Sequence, residues 1–348
     1  MSIPASALIT RPEELASLAH VDPEVLAKIH AVYPLRVSRY FLELALQHGA
    51  PLLRQVIPDA LELADTATPA DPLNEENLSP LPCLIHRYPD RVVLLVSRDC
   101  PTFCRFCTRK RKIGTAGMQV TQEMFKAALE YIRKRPAIVD VLISGGDPLM
   151  LADEALEQIL AQVRAIPGVR FIRIGSRMPC MMPRRITAKL AAMLKRFHPL
   201  YMNLHFNHPD ELSPEATAAC ERLANAGIPL GSQTVLLRGV NDSAAILQEL
   251  FYRLLAARVK PYYLFQIDQV RGTSHFRTTI QSGQAIMRRL IGHVSGMAQP
   301  HYALDTPGGG GKIPLCPGYL DSLHEHCTFT TYAGKTGSYP NTLWPKSR

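Results

Sequence analysis

From Arg91 onward the chain alternates between short apolar runs and longer stretches in which apolar residues recur every three or four positions. The runs begin near Arg91, Ile138, Val169, Leu200, Ile228 and Lys260, most of them about one strand-plus-helix unit apart. They are short and bounded by polar residues, as in the β-branched run Arg91 to Val96, and this predicts buried strands. The stretches between them predict helices. Thr121 stands where it can cap a helix on which Phe125, Leu129 and Ile132 share a face, and Asp153 to Ala165, Ile186 to Phe197, Pro214 to Ala226 and Ala244 to Val259 are comparable. Six successive βα units predict an α/β fold, a parallel sheet with an outer helical layer. The pattern leaves open whether that sheet is doubly wound or a closed or partial barrel. In either case the loops at the C-terminal strand ends form the site.

The first ninety residues differ in character. Pro23 opens one helical segment and Val37 to Leu46 forms a second, closed by the basic His48 and Gly49, so residues 1–50 predict a helical cap. Residues 58–83 are rich in Pro, Asp and Glu and predict an irregular connection wrapping over the surface. Charge follows the same division. Of the 348 residues and the net charge of +9, residues 1–90 hold 6 Lys and Arg against 12 Asp and Glu, which leaves the remainder strongly basic. The run Arg109-Lys110-Arg111-Lys112 has neither zinc-finger spacing nor interleaved aromatics around it, which argues against nucleic acid. The absence of a signal-like start or a membrane-length apolar run argues for a cytoplasmic protein with no membrane partner, and eight cysteines in such a chain read as reduced thiols.

Three of those cysteines change the picture. Cys100, Cys104 and Cys107 follow the first strand with CxxxCxxC spacing. Three thiolates so spaced can hold three irons of a four-iron cluster and leave the fourth open to a small molecule, whereas a structural zinc site would require a fourth ligand. Other chemistry-bearing residues fall at the remaining strand ends: Ser144-Gly145-Gly146-Asp147, Ser176-Arg177, His205 with Asn207, Gln233 and Asp268. Gly308-Gly309-Gly310-Gly311-Lys312 is not a phosphate loop, because Ile313-Pro314 stands where Walker A needs Ser or Thr on a helix start. Four glycines would instead give Lys312 a mobile tether, suited to an amine that forms a Schiff base.

The cysteine trio after a first strand resembles the signature of the radical S-adenosylmethionine enzymes, and the resemblance narrows to the lysine 2,3-aminomutase group over about Pro34 to Tyr319. The stretches that carry it are His86-Arg-Tyr-Pro-Asp-Arg91, Ile174-Gly-Ser-Arg177, His205-Phe-Asn-His-Pro209, Val235-Leu-Leu-Arg-Gly-Val-Asn-Asp242, Lys260-Pro-Tyr-Tyr263, His275-Phe-Arg-Thr278 and Asp305-Thr-Pro-Gly-Gly-Gly-Gly-Lys312. The resemblance implies a partial (βα)6-type barrel at 86–307, an N-terminal helical extension and wrapping connection at 1–85, and a lysine loop and C-terminal tail at 308–348. It implies a [4Fe-4S] cluster on Cys100, Cys104 and Cys107, with S-adenosyl-L-methionine against Ser144, Gly145, Gly146, Asp147, His205 and Gln233. Pyridoxal 5'-phosphate would be held by Lys312 and, at its phosphate, by Tyr88 and Arg91. Arg109 would pair with a substrate carboxylate, and Asp268 and Asp305 with a side-chain ammonium.

The activity so implied is conversion of lysine to β-lysine. The alternatives are the same chemistry supplying β-lysine to elongation factor P, or a related aminomutase acting on another amino acid. A flavodoxin or ferredoxin as reductant and a homo-oligomer complete the expectation. A zinc site carried by some longer relatives is expected to be missing, since Ser243 follows Asp242 and the tail offers only Cys316, His324, His326 and Cys327.

Overall fold

In a computed structural model the chain is described over residues 3–115 and 119–342, so the outermost ends of the expected N- and C-terminal segments, 1–2 and 343–348, lie outside the described residues. Two short strands, β1 (Leu8–Ile9) and β2 (Val37–Ser38), pair antiparallel beside the helices Pro12–Ala19, Pro23–Val32 and Arg39–His48, so the cap is not wholly helical. The main sheet follows, built from β3 (Leu84–Tyr88), β4 (Arg91–Ser97), β5 (Asp140–Gly145), β6 (Phe171–Ser176), β7 (Leu200–Leu204), β8 (Leu230–Leu236), β9 (Val259–Gln266), β10 (His301–Asp305) and β11 (Lys312–Pro314).

Its nine strands lie in chain order, β4 to β10 parallel, with β3 and β11 antiparallel at the two edges. A doubly wound sheet reverses its strand order at a switch point, and this one does not. The unreversed order is that of an open, partial barrel, with one more parallel strand, β10, than the six that the periodicity predicts.

Side-chain alternation divides each strand between two jobs. On β5 Val141 and Ile143 are buried in the core, whereas Leu142 and Ser144 line the central cavity. The helices complete the core through matching stripes, as in Leu156, Leu160 and Val163 of Asp153–Arg164. Hydroxyl caps start five of the helices, though not Asp153–Arg164, which follows Ala152. Thr121, Thr187, Ser213, Ser243 and Thr279 each accept the backbone N–H three residues on, a contact worth about 1 kcal/mol apiece.

After β11 the C-terminal tail forms a separate antiparallel sheet of β12 (Leu320–Leu323), β13 (His326–Thr330) and β14 (Thr336–Pro340). Cys327 is buried there, with its thiol on the Tyr339 carbonyl.

Candidate active site

A cavity of about 790 Å³ opens at the C-terminal ends of the parallel strands. Every residue to which the resemblance gives a site role lines it: Cys100, Cys104, Cys107, Ser144, Gly145, Gly146, Asp147, His205, Gln233, Tyr88, Arg91, Arg109, Asp268, Asp305 and Lys312, whereas Asn207 does not.

The cysteine loop leaves β4 and is pinned from behind. Phe103 and Phe106 are buried, the Phe103 amide donates to the Arg36 carbonyl at 2.8 Å, and the Arg105 amide donates to the Gln55 carbonyl at 2.9 Å. These backbone bonds anchor the loop to the N-terminal extension while the three cysteines line the cavity. Burial pushes the Cys107 thiol up to about 11, with the Cys104 thiol beside it adding to the effect. Cys100 is raised too, by burial and then by Asp147 and the other two thiols. Among the described residues no group of three or more His, Cys, Asp or Glu converges tightly enough to hold a single metal ion. Three cysteines lining one cavity suit a multi-iron cluster, which needs one ligand per iron.

The glycine-rich turn after β5 explains its own composition. A Cβ on Gly145 would lie 2.3 Å from the Ser97 carbonyl oxygen, and one on Gly146 2.3 Å from that of Asp99. Only glycine lets this turn lie flat against the start of the cysteine loop. Asp147 directs its carboxylate inward, accepting from the Ser176 hydroxyl at 2.9 Å and the Arg177 amide at 2.8 Å. The His205 ring meets Asn207 at 3.0 Å, and burial, reinforced by Arg177, lowers its pKa to about 3, so the imidazole stays neutral.

Around Lys312 the groups are interlocked. Its backbone N–H donates to the Tyr88 hydroxyl at 2.9 Å, and its ammonium meets Asp305 at 3.2 Å. The Arg91 guanidinium lies 3.7 Å from the Tyr88 ring centroid. The glycines before Lys312 form a defined turn. Gly309 has φ +86° and a Cβ there would strike Leu78, while the Gly308 amide is tied to the Pro72 carbonyl at 2.8 Å. Backbone geometry therefore demands glycine here, beyond any freedom it gives the lysine.

Asp268 accepts from the Thr108 hydroxyl at 2.7 Å. Burial raises its pKa to about 6, the hydrogen bond from Thr108 lowers it, and the nearby Asp305 charge adds to the rise. Arg109 is already paired: Glu75 accepts from its Nε at 3.0 Å and its Nη2 at 2.8 Å, so one edge of the guanidinium is taken.

Glu75, Arg87 and Thr108 were not among the expected site residues. Arg87 bridges to Asp305 at 3.0 Å and lines the cavity. Its signal was a charge within the matching stretch from His86 to Arg91. Thr108 lay between two expected residues, and Glu75 lay in a connection with no periodicity.

Residues 94–250 match the family model described as Radical SAM superfamily, and residues 287–343 match the one described as Lysine-2,3-aminomutase. The L-lysine 2,3-aminomutase of Clostridium subterminale is 47% identical over 291 residues, which is 83% of this chain and 70% of that one. The L-lysine 2,3-aminomutase of Fusobacterium nucleatum is 49% identical over 79% of this chain and 65% of its own. The chain thus spans about two thirds of the length of these two relatives. The glutamate 2,3-aminomutase of Clostridioides difficile is 41% identical over 92% of this chain and 77% of that one.

Proposed function

Because the chain belongs to the lysine 2,3-aminomutase family of radical S-adenosylmethionine enzymes, we propose that it is an isomerase that moves the α-amino group of lysine to C3 and so makes β-lysine. The observation that carries lysine over glutamate is the acidic pair: Asp268 and Asp305 line one cavity, and the Asp305 charge is felt at Asp268. Two carboxylates suit an ammonium in a low-dielectric site and repel a third carboxylate. Overall identity discriminates less, since the glutamate enzyme is only slightly more distant.

When bound, the four-iron cluster and S-adenosylmethionine supply a carbon-centred radical, and pyridoxal phosphate supplies the π system across which nitrogen moves. The residues of this chain hold and shield. Cys100, Cys104 and Cys107 would ligate three irons, and Ser144 to Asp147, His205 and Gln233 would line the pocket for the sulfonium cofactor. Lys312 would hold pyridoxal phosphate, with Tyr88 and Arg91 at its phosphate. Tyr88 also fixes the backbone of Lys312, which supports a defined position for the amine. Arg109 would receive the substrate carboxylate through the guanidinium edge that Glu75 leaves. The net change puts nitrogen on C3 and hydrogen on C2, so substrate and product are isomers and no net oxidation occurs.

A low-potential one-electron donor, flavodoxin or ferredoxin, would reduce the cluster, and a homo-oligomer is the expected assembly. Among the described residues no helix is long and apolar enough to cross a membrane. The free thiols support a reducing, cytoplasmic setting. Delivery of β-lysine to elongation factor P would use the same chemistry, and a neighbouring gene for a lysyl-tRNA-synthetase-like ligase would favour that role.

The test is anaerobic loading with iron, sulfide and pyridoxal phosphate, then parallel incubation with lysine and glutamate in the presence of S-adenosylmethionine and a reductant. β-Lysine should accumulate and β-glutamate should not. Turnover of glutamate in preference to lysine would reverse the substrate assignment.

A further inference from the structure

The geometry points to Arg177 as the residue that tunes the reduction potential of the cluster, acting through the Cys104 sulfur, with Glu211 controlling how much of its charge the sulfur feels. This rests on the reading of Cys100, Cys104 and Cys107 as cluster ligands. Arg177 donates from Nη1 to the Cys104 sulfur at 2.8 Å, and from Nη2 to Gln55 at 2.6 Å and Glu211 at 3.1 Å. Its side chain is only 8% exposed and that of Glu211 is fully buried. The Phe106 and Phe41 rings flank the guanidinium at 5.4 and 5.8 Å.

The rest of this network holds Glu211 in place. Its carboxylate accepts from Gln55 at 2.7 Å, from the Asn207 amide at 2.8 Å and from the Cys180 thiol at 3.4 Å. Gln55 in turn accepts from the Asn207 side chain at 3.0 Å. Arg177 is therefore a cation shared between one carboxylate behind it and one cluster sulfur in front, with aromatic surface where water would otherwise screen it. None of this is needed to close the barrel, because hydrophobic side chains of equal volume would pack as well or better than a buried ion pair.

Cluster reduction takes one electron from an external low-potential donor and adds one negative charge to the cluster. A fixed cation and an N–H donor on a ligand sulfur favour the more negative form, and so raise the potential. Glu211 opposes this by neutralising the same cation. The two residues should therefore move the potential in opposite directions, which a loss of packing would not do. Arg177 acts through Cys104 and is a positioning residue for the ligand sulfur and its electrostatics.

The experiment is a mediated redox titration of the full-length, anaerobically reconstituted protein with dithionite, followed by the paramagnetic signal of the reduced cluster, without S-adenosylmethionine. Arg177→Met should lower the equilibrium constant for reduction by about tenfold or more, a shift of about 59 mV for one electron. Glu211→Gln should shift it the opposite way, and Arg177→Lys should fall between Arg177→Met and the parent. A parental potential in Arg177→Met, or a negative shift in Glu211→Gln, would overturn the assignment. If Arg177→Met retains no iron, the sign of the Glu211→Gln shift decides. If no variant retains iron while circular dichroism stays native, the network is structural and the assignment fails. A parent protein that takes up no iron and sulfide would instead remove the cluster reading on which the assignment rests.

Discussion

Asp268 shows how a side chain acquires its chemistry from its surroundings. With its pKa raised to about 6, largely by burial and further by the Asp305 charge, it is protonated below that pH and charged above it. The KM for lysine should therefore rise as pH falls from about 7 to 5, and this limb should flatten in Asp268→Asn. The sign for stability is the reverse: a carboxyl raised above its ordinary value favours the substrate-free fold at low pH and stops doing so as pH climbs through about 6. Loss of one charge-assisted hydrogen bond to the substrate ammonium, roughly 1.5–3 kcal/mol, predicts a KM increase of about ten- to a hundredfold in steady-state kinetics of Asp268→Asn. Lys312→Ala should abolish the absorbance that pyridoxal phosphate gains on joining a lysine, with circular dichroism unchanged. Persistence of that band would identify another anchor. These residues were legible because motif order named them. Glu75 and Arg87 were not, because their roles come from partners 34 and 218 positions away.

At the scale of elements, the acidic connection proves to be the counterpart of the basic run. Glu62 is fully buried against Arg105 and Lys110, Glu75 pairs with Arg109, and Arg111 meets Asp71. The uneven charge of the two parts of the sequence is thus resolved within the fold, and Arg109 to Lys112 are engaged by carboxylates where a nucleic-acid patch would need them free. The connection does more than cover a surface, since it clamps the loop bearing the cysteines. Burial favours the neutral form of Glu62, yet Arg105 and Lys110 hold its pKa below the ordinary value. Its contribution is present near neutrality and is lost as pH falls below the usual glutamate range. Glu62→Gln should cost about 3–5 kcal/mol in urea unfolding, because two buried cations lose their partner. The periodic strands from β4 to β9 were readable from sequence. β3 was not, because His86 and Arg87 break its apolar pattern, Arg87 to line the cavity and His86 to meet Tyr131, and the strands of the C-terminal sheet leave Leu320, Leu323 and Tyr339 exposed, so no core face marks them.

For the whole molecule, unreversed strand order gathers the C-terminal strand ends around one cavity, bringing Cys100, Asp268 and Lys312 together from distant parts of the chain. The hydrophobic pattern could place the strands but could not choose between an open and a closed sheet, since both bury the same faces. That choice depends on strand order, which no local period encodes. The central claim is that this cavity moves nitrogen between adjacent carbons of one lysine molecule. Its most direct measurement is nuclear magnetic resonance of the product formed by the fully loaded protein from lysine carrying ¹³C at C2 and ¹⁵N on the α-amino group. β-Lysine should form with the ¹⁵N on C3 and its bond to the labelled C2 gone. Unchanged lysine in the presence of a verified cluster and bound pyridoxal phosphate, or β-lysine without the ¹⁵N, would contradict it.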